Sequence, residues 1–175
     1  MSGCYRPLGV VEIRRAVPGD AVELGDLARR VWRTCFRGMI SDAQLEYMLG
    51  QRYERDVLTA TLGREWPGFE LLSVDGVLTA FAAHGPSDEP GIWKLHQLYV
   101  DPERQKQGLA GRLLGHVEAA AREHGCGALL LTVNRENARA RAVYEHRGFS
   151  VREAARFDIG GGFVMDDFVM VKTLT

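Results

Sequence analysis

Residues 95–111, LHQLYVDPERQKQGLAG, decide how this chain is read. The run ending at Val100 has strand character and stops at Asp101-Pro102, because proline offers no N–H to extend a ladder. A polar loop follows. Gly108 then opens an amphipathic stretch over 109–124, in which Leu109, Leu113, Leu114, Val117 and Ala121 recur at helical spacing and Gly125 is the C-terminal stop. A strand–loop–helix junction of this kind leaves backbone N–H groups unpaired at the positive end of a helix dipole. It is a ready site for a pyrophosphate. Gly108 admits a phosphate to the main chain, Ala110 keeps the next turn small, and Arg104, Lys106 and Arg112 are available as counter-charges. The same residues also fit a plain connection with a helix-starting glycine, so this segment alone leaves both readings open. It does exclude two nucleotide motifs: no GxxxxGK[ST] is present, and GLAGRL lacks the three spaced glycines of a dinucleotide fold.

Working outward, 92–100 is a strand, preceded by a loop over 85–91 with two prolines. Residues 69–74, the turn Asp75-Gly76 and 77–83 form a β-hairpin, since Asp-Gly takes the positive φ angles of a tight turn. Further upstream lie a strand over 11–16 and helices carrying Leu24, Leu27, Val31 and Trp32, then Leu45, Met48 and Leu49, then 52–62. Asp20 and Ser41 are expected N-caps. Downstream, 128–133 is a continuous apolar run suited to a strand buried on both faces. A helix over 138–147 ends at Gly148, and 149–159 with 163–174 make an antiparallel pair around Gly160-Gly161-Gly162. The order predicts an α/β (α+β) fold with a mixed sheet, in one domain over 11–175 after an N-terminal arm over 1–10. It is not a regular βαβα alternation.

Composition bounds the function. The 175 residues are 46% apolar and 26% charged, which excludes intrinsic disorder. With 22 basic and 23 acidic side chains, no whole-molecule attraction to nucleic acid or to an anionic membrane exists. Cys4, Cys35 and Cys126 are odd in number and far apart, and no histidine pair has metal-ligand spacing. A disulfide framework and a structural zinc are therefore not expected, and a cytoplasmic setting fits. No signal segment or membrane span is evident.

A second informative stretch is LLLTVNRENARARAVYEHRGF over 129–149, in which a buried strand feeds a helix. Asn137 and Tyr144 are two turns apart and share a face. Asn suits hydrogen bonding to an amide chain and Tyr supplies a phenolic proton. Taken alone, Asn137 reads equally as a cap and Tyr144 as a half-buried aromatic. The combination is what carries a resemblance. Q-K-Q-G-L-A resembles the Q/R-x-x-G-x-G/A acetyl-CoA signature of the GNAT superfamily of N-acetyltransferases, with Ala110 where many members have Gly. N-A-R-A-R-A-V-Y-E-H-R-G-F is similar to the superfamily's N-x-x-A-x-x-x-Y-E-x-x-G-F segment. K-L-H-Q-L-Y-V and D-I-G-G-G-F-V-M-D-D-F-V-M are similar to a prokaryotic subgroup containing polyamine (spermidine/spermine) N-acetyltransferases.

The resemblance implies a mostly antiparallel sheet of about seven strands, flanked by helices, with acetyl-CoA held where two strands splay apart. The backbone of Leu98, Tyr99 and Val100 would pair with the pantetheine arm. Gln105, Lys106, Gln107, Gly108, Leu109, Ala110 and Gly111 would wrap the pyrophosphate. Asn137 would hold the pantetheine, with Asn134 a second candidate, and Tyr144 would lie beside the sulfur. A neutral amine would attack the thioester directly. A strand N–H near Leu98 would stabilise the oxyanion, and Tyr144 would protonate the thiolate. His96 is the candidate base, since its reference pKa near 6.5 suits proton acceptance around neutrality and simple alternation puts it on the face of Leu98 and Val100. A packed structural histidine is the competing reading.

The expected substrate is a small-molecule primary amine, first a polyamine, drawn by an acidic lip of Asp158, Asp166 and Asp167. Trp32, Phe36 and Tyr47 would form the amine-side wall. No metal is expected. The alternatives are acetylation of a protein N-terminus, an amino acid or an aminoglycoside, or a CoA-binding module without turnover. Many relatives dimerise, so a homodimer is the expectation for assembly.

Overall fold

The computed structural model describes residues 9–174; most of the expected N-terminal arm, residues 1–8, lies outside them. Seven strands form one sheet in the order β1-β2-β3-β4-β5-β7-β6. They are β1 Val11–Arg15, β2 Gly68–Val74, β3 Val77–Pro86, β4 Ile92–Val100, β5 Ala128–Asn134, β6 Ser150–Gly160 and β7 Phe163–Thr173. Every neighbouring pair is antiparallel except β4–β5. The helices α1 Ala21–Cys35, α2 Asp42–Tyr53 and α3 Arg55–Leu62 pack their apolar stripes on one face of the sheet. On the other face α4 Leu109–Glu123 buries Leu109, Leu113, Leu114, Val117 and Ala121, as its periodicity predicts. The short α5 Ala138–His146 leans against the same cluster through Ala140 and Tyr144.

Local chemistry accounts for the element ends. Asp75 and Gly76 take φ of 51° and 79°, the left-handed pair that a two-residue hairpin turn requires. The Ser41 hydroxyl accepts from the Gln44 N–H, so this cap is as expected. Asp20 is a correction. Its carboxylate accepts from the Val17 N–H and from Arg14 at 2.7 Å, closing a short 3-10 turn ahead of α1 instead of capping that helix.

The single parallel pair creates the feature that matters. Its register runs from Ile92↔Ala128 to Leu95↔Leu131 and stops there. Beyond it, residues 97–100 of β4 stay bonded to β3, and residues 132–134 of β5 stay bonded to β7. The two strands part like the arms of a V. A β-bulge sits at the fork: Ala83 faces Gln97 while His84 faces Leu95, leaving His96 as the extra residue. A bulge bends its strand and increases the local twist, which turns β4 away from β5. It also overturns the simple alternation expected for His96. Trp93 and Leu95 before the bulge, and Leu98 and Val100 after it, all join the cluster under α4, whereas Tyr99 packs on the α1 side.

Candidate active site

The gap between the splayed strands is a cleft of about 790 Å³ that runs from the start of α4 to the α1–α2 face. Nearly every residue singled out from sequence lines it: His96, Leu98, Tyr99 and Val100 from β4, Gln105, Lys106, Gly108, Leu109, Ala110 and Gly111 from the loop and α4, Asn134 from β5, and Asn137 and Tyr144 from α5. Gln107 does not, and neither does Arg112, although both neighbour residues that do.

At one end, Gly108 is the N-cap of α4 with φ 78°, and Lys106 has φ 65°. This backbone turns the loop sharply and leaves the first N–H groups of α4 directed out of the helix end. No acidic side chain lies in that first turn to occupy them. A Cβ at Gly108 would meet no atom within 4 Å, so the left-handed angle, not protein crowding, is what calls for glycine there. Arg104, Lys106, Arg139 and Arg147 line the cleft, and none of them forms an ion pair among the described residues. The Arg147 guanidinium fills the space where Gly111 lacks a side chain, which puts its charge against the helix start. Sequence reading missed Arg139 and Arg147. The missing Cβ of Gly111 was visible, but what fills the space comes from α5, far along the chain.

Along the middle of the cleft, the edge of β4 facing the gap is unpaired over residues 98–100. Asn137 caps α5, its Oδ1 accepting from the Ala140 N–H at 3.0 Å. This leaves its NH2 free to donate. Asn134 Oδ1 accepts from the Glu136 N–H at 2.9 Å. The Tyr144 ring sits edge-on to Phe149 with centroids 5.6 Å apart, and its hydroxyl has no partner among the described residues. Burial pushes the Tyr144 phenol up to about 12, so it stays protonated at any working pH.

On the α1–α2 side the wall is aromatic and aliphatic. Trp32 packs against Phe36, Tyr53 and Tyr99 with centroids 5.0, 5.5 and 5.8 Å away. The Tyr53 hydroxyl donates to Gln97 Oε1 at 2.7 Å, tying α2 to β4 just past the bulge. Tyr47 does not line the cleft. Its hydroxyl donates to the Ile159 carbonyl at 3.2 Å, and its ring presses on Gly160 and Gly161, where any Cβ would collide. The β6–β7 tip is thereby pinned to α2, and Phe157, Ile159 and Met165 close the cleft from that side.

The titratable groups of this half differ from expectation. His96 stands open on the cleft wall, yet desolvation, reinforced by the charges of Lys94 and Arg52, pulls its pKa down to about 4. It is a neutral imidazole near neutrality and a weak proton acceptor. The acidic lip does not assemble. Asp158 accepts from the Gly160 N–H, Asp166 pairs with Arg135 at 3.3 Å, and only Asp167 reaches the cleft. Asp167 is 6% exposed, and its Oδ1 has no hydrogen-bond partner among the described residues. Burial, reinforced by the neighbouring Asp166, lifts it to about 6, while Thr132 and Arg52 work the other way.

An extended cleft of this kind, with a cationic helix end, an unpaired strand edge and an unengaged phenol, is the architecture of a transferase that binds a long phosphorylated carrier beside a sheet. Residues 27–149 match the acetyltransferase (GNAT) family, and the chain belongs to that family. It is 24% identical over 160 residues to the spermidine N(1)-acetyltransferase of Thermoplasma acidophilum, covering 89% of this chain and 96% of that one. It is 31% identical over 116 residues to the [ribosomal protein bS18]-alanine N-acetyltransferase of Escherichia coli K12, covering 63% and 76%. The crystal structure of the PaiA N-acetyltransferase of T. acidophilum in complex with coenzyme A superposes with a TM-score of 0.78 at 24% identity, over 94% of this chain and 99% of that one. The sheet and flanking helices agree with that fold. Among the described residues, no helix is long and apolar enough to cross a membrane.

Proposed function

We propose that this N-acetyltransferase uses acetyl-CoA and transfers the acetyl group to a primary amine of a small molecule, within a single domain over residues 11–175 and in the cytoplasm. The observation that carries this reading is the fork between β4 and β5, with unengaged backbone on one side and a cationic helix end at its mouth. The site fits the group. Three α4 N–H groups with Arg104, Lys106 and Arg147 would hold the diphosphate. The β4 edge over 98–100 would bond the pantetheine amides as an added strand, and the Asn137 NH2 would donate to an amide carbonyl. Acetyl-CoA supplies the activated thioester.

Each remaining step belongs to this chain's side chains. The neutral amine attacks the thioester carbonyl, forming the C–N bond. A β4 N–H near Leu98 stabilises the oxyanion in a setting that excludes water. As the C–S bond breaks, Tyr144 donates its proton to the sulfur. With phenol near 12 and a free thiol near 8.5, that transfer would be uphill by roughly 5 kcal/mol if only the phenol were desolvated. A thiolate leaving beside Tyr144 would lose hydration too, which brings the two proton affinities together. His96, the base expected from sequence, is a poor match at about 4.

The similarity to a spermidine acetyltransferase favours a polyamine acceptor. Charge weighs against a long polycation: the cleft is lined by Arg37, Arg52, Lys94 and Arg139 besides the three cations at the helix end, and by one carboxylate among the described residues. A thiol-release assay with acetyl-CoA, run against monoamines, spermidine, spermine, amino acids, aminoglycosides and N-terminal peptides, tests the reading. Release with a small amine supports it. Release only with peptides overturns the small-molecule acceptor, and CoA binding without release from any amine overturns catalysis.

A further inference from the structure

We propose that Asp167 is the group in the cleft that receives the acceptor's ammonium and takes its proton, a role that rests on the transferase reading above. The argument starts from position. Asp167 lies directly across β5 from Asn134, so it sits at the level where β4 and β5 have parted, about one strand spacing from the open edge of the fork. Along β7 it shares a face with Met165, whose side chain packs in the cluster under α1 and α2. It therefore faces the half of the cleft that the diphosphate-binding end does not occupy.

The second observation is its unmet bonding. A buried carboxylate oxygen without a donor costs free energy that the native state recovers only when something is bound to it. Oδ1 is buried and without a partner, in a side chain that lines the cleft. An ammonium supplies both the positive charge and the N–H donors. No other carboxylate lines the cleft among the described residues.

The surroundings keep the carboxylate responsive. Arg52 of α2 favours its ionised form, as does the Thr132 side chain of β5, while Asp166 on its own strand opposes it. Tyr99 of β4 and Cys35 of α1 face the same space as neutral groups whose ionisation burial suppresses. Arg139 of α5 lines the cleft near Cys35, and β6 places the uncharged Ala155 opposite. Resting near 6, the carboxylate is ionised at neutral pH and still basic enough to accept a proton, which His96 at about 4 does not match.

The proton balance closes. The ammonium passes one proton to Asp167, and the neutral amine forms the C–N bond. The C–S bond then breaks and the thiolate takes the Tyr144 proton. The nitrogen's second proton restores Tyr144, and Asp167 releases its proton to solvent. Because a single carboxylate faces several cations, the site fits one ammonium joined to an apolar body, matching the Trp32, Phe36 and Met39 wall.

The test compares the wild type with Asp167→Asn and Arg52→Gln, using tyramine and spermidine as probes. Wild-type kcat/KM for tyramine should fall below an acidic limb near pH 6. Asp167→Asn should lose at least about 100-fold at pH 7 and lose that limb, with CoA affinity within twofold. Arg52→Gln, which removes a charge that favours the ionised form, should move the limb to higher pH. Asp167→Asn keeping its activity within threefold, or keeping the limb, would overturn the assignment while leaving the transferase reading intact. A limb unmoved in Arg52→Gln, or spermidine preferred over tyramine tenfold, would also count against it. No thiol release by the wild type from any amine, with CoA still bound, would overturn the transferase reading and the Asp167 role with it.

Discussion

Replacing Gly108 and Gly111 by alanine, one at a time, separates backbone strain from ligand binding at the head of α4. Gly108 has φ 78°, where an L side chain costs about 1–2 kcal/mol, and a Cβ there would meet nothing within 4 Å, so no steric cost adds to it. For a chain of this size that corresponds to roughly 2–8 °C in Tm. The same change rotates the loop and disturbs the first N–H groups of the helix. Losing one charge-assisted hydrogen bond to phosphate costs about 1.5–3 kcal/mol, or roughly 10- to 100-fold in CoA affinity. Gly111 behaves oppositely. It lies within the helix, where alanine is favoured by nearly 1 kcal/mol, and the atoms in the way are the far end of the flexible Arg147 side chain. Gly111→Ala should keep or raise Tm yet weaken CoA through the displaced guanidinium. Melting curves and isothermal calorimetry with CoA measure both quantities. Full CoA affinity in both variants would refute the assignment of this helix end to the diphosphate.

Three further outcomes follow from the site. Tyr144→Phe should lower kcat by about 10²- to 10⁴-fold and leave CoA affinity and Tm nearly unchanged, since the hydroxyl has no partner to lose among the described residues; steady-state kinetics with calorimetry checks this. His96→Gln should leave the pH–rate profile unaltered above pH 5, because an imidazole pulled down to about 4 does not titrate there; a lost limb near 6.5 would restore the histidine as the base. Asp167→Asn should stabilise the fold at pH 7.5 by up to about 3 kcal/mol, seen as a raised Tm. The sign follows from the raised pKa: the folded state disfavours the ionised form, so the penalty is present above pH 6 and vanishes as pH falls below the unfolded value near 4.

The sequence carried the periodic elements well. The α4 stripe, the Asp75-Gly76 hairpin and the antiparallel pair around Gly160-Gly161-Gly162 each rest on local spacing or turn chemistry, which a linear reading can see. The GNAT signatures located the cleft, and of the expected catalytic and coenzyme-binding residues only Gln107 does not line it. What escaped depends on contacts distant along the chain. The bulge at His96 is set by its register with β3, and it broke an alternation that assumed a regular strand. The acidic lip failed because Asp158 and Asp166 are engaged by neighbours, which left Asp167 alone in the cleft. Arg147 reaches the helix start from α5 through the space at Gly111. Asp20 faced two donors, Arg14 and the Val17 N–H, and satisfied them instead of the helix.

The fork between β4 and β5 as a coenzyme site is tested most directly by titrating the purified chain with coenzyme A in a calorimeter. Saturable one-to-one binding is expected, in the micromolar range, weakening as salt rises because the diphosphate is held by cations. A flat thermogram from folded protein at millimolar coenzyme A would contradict it.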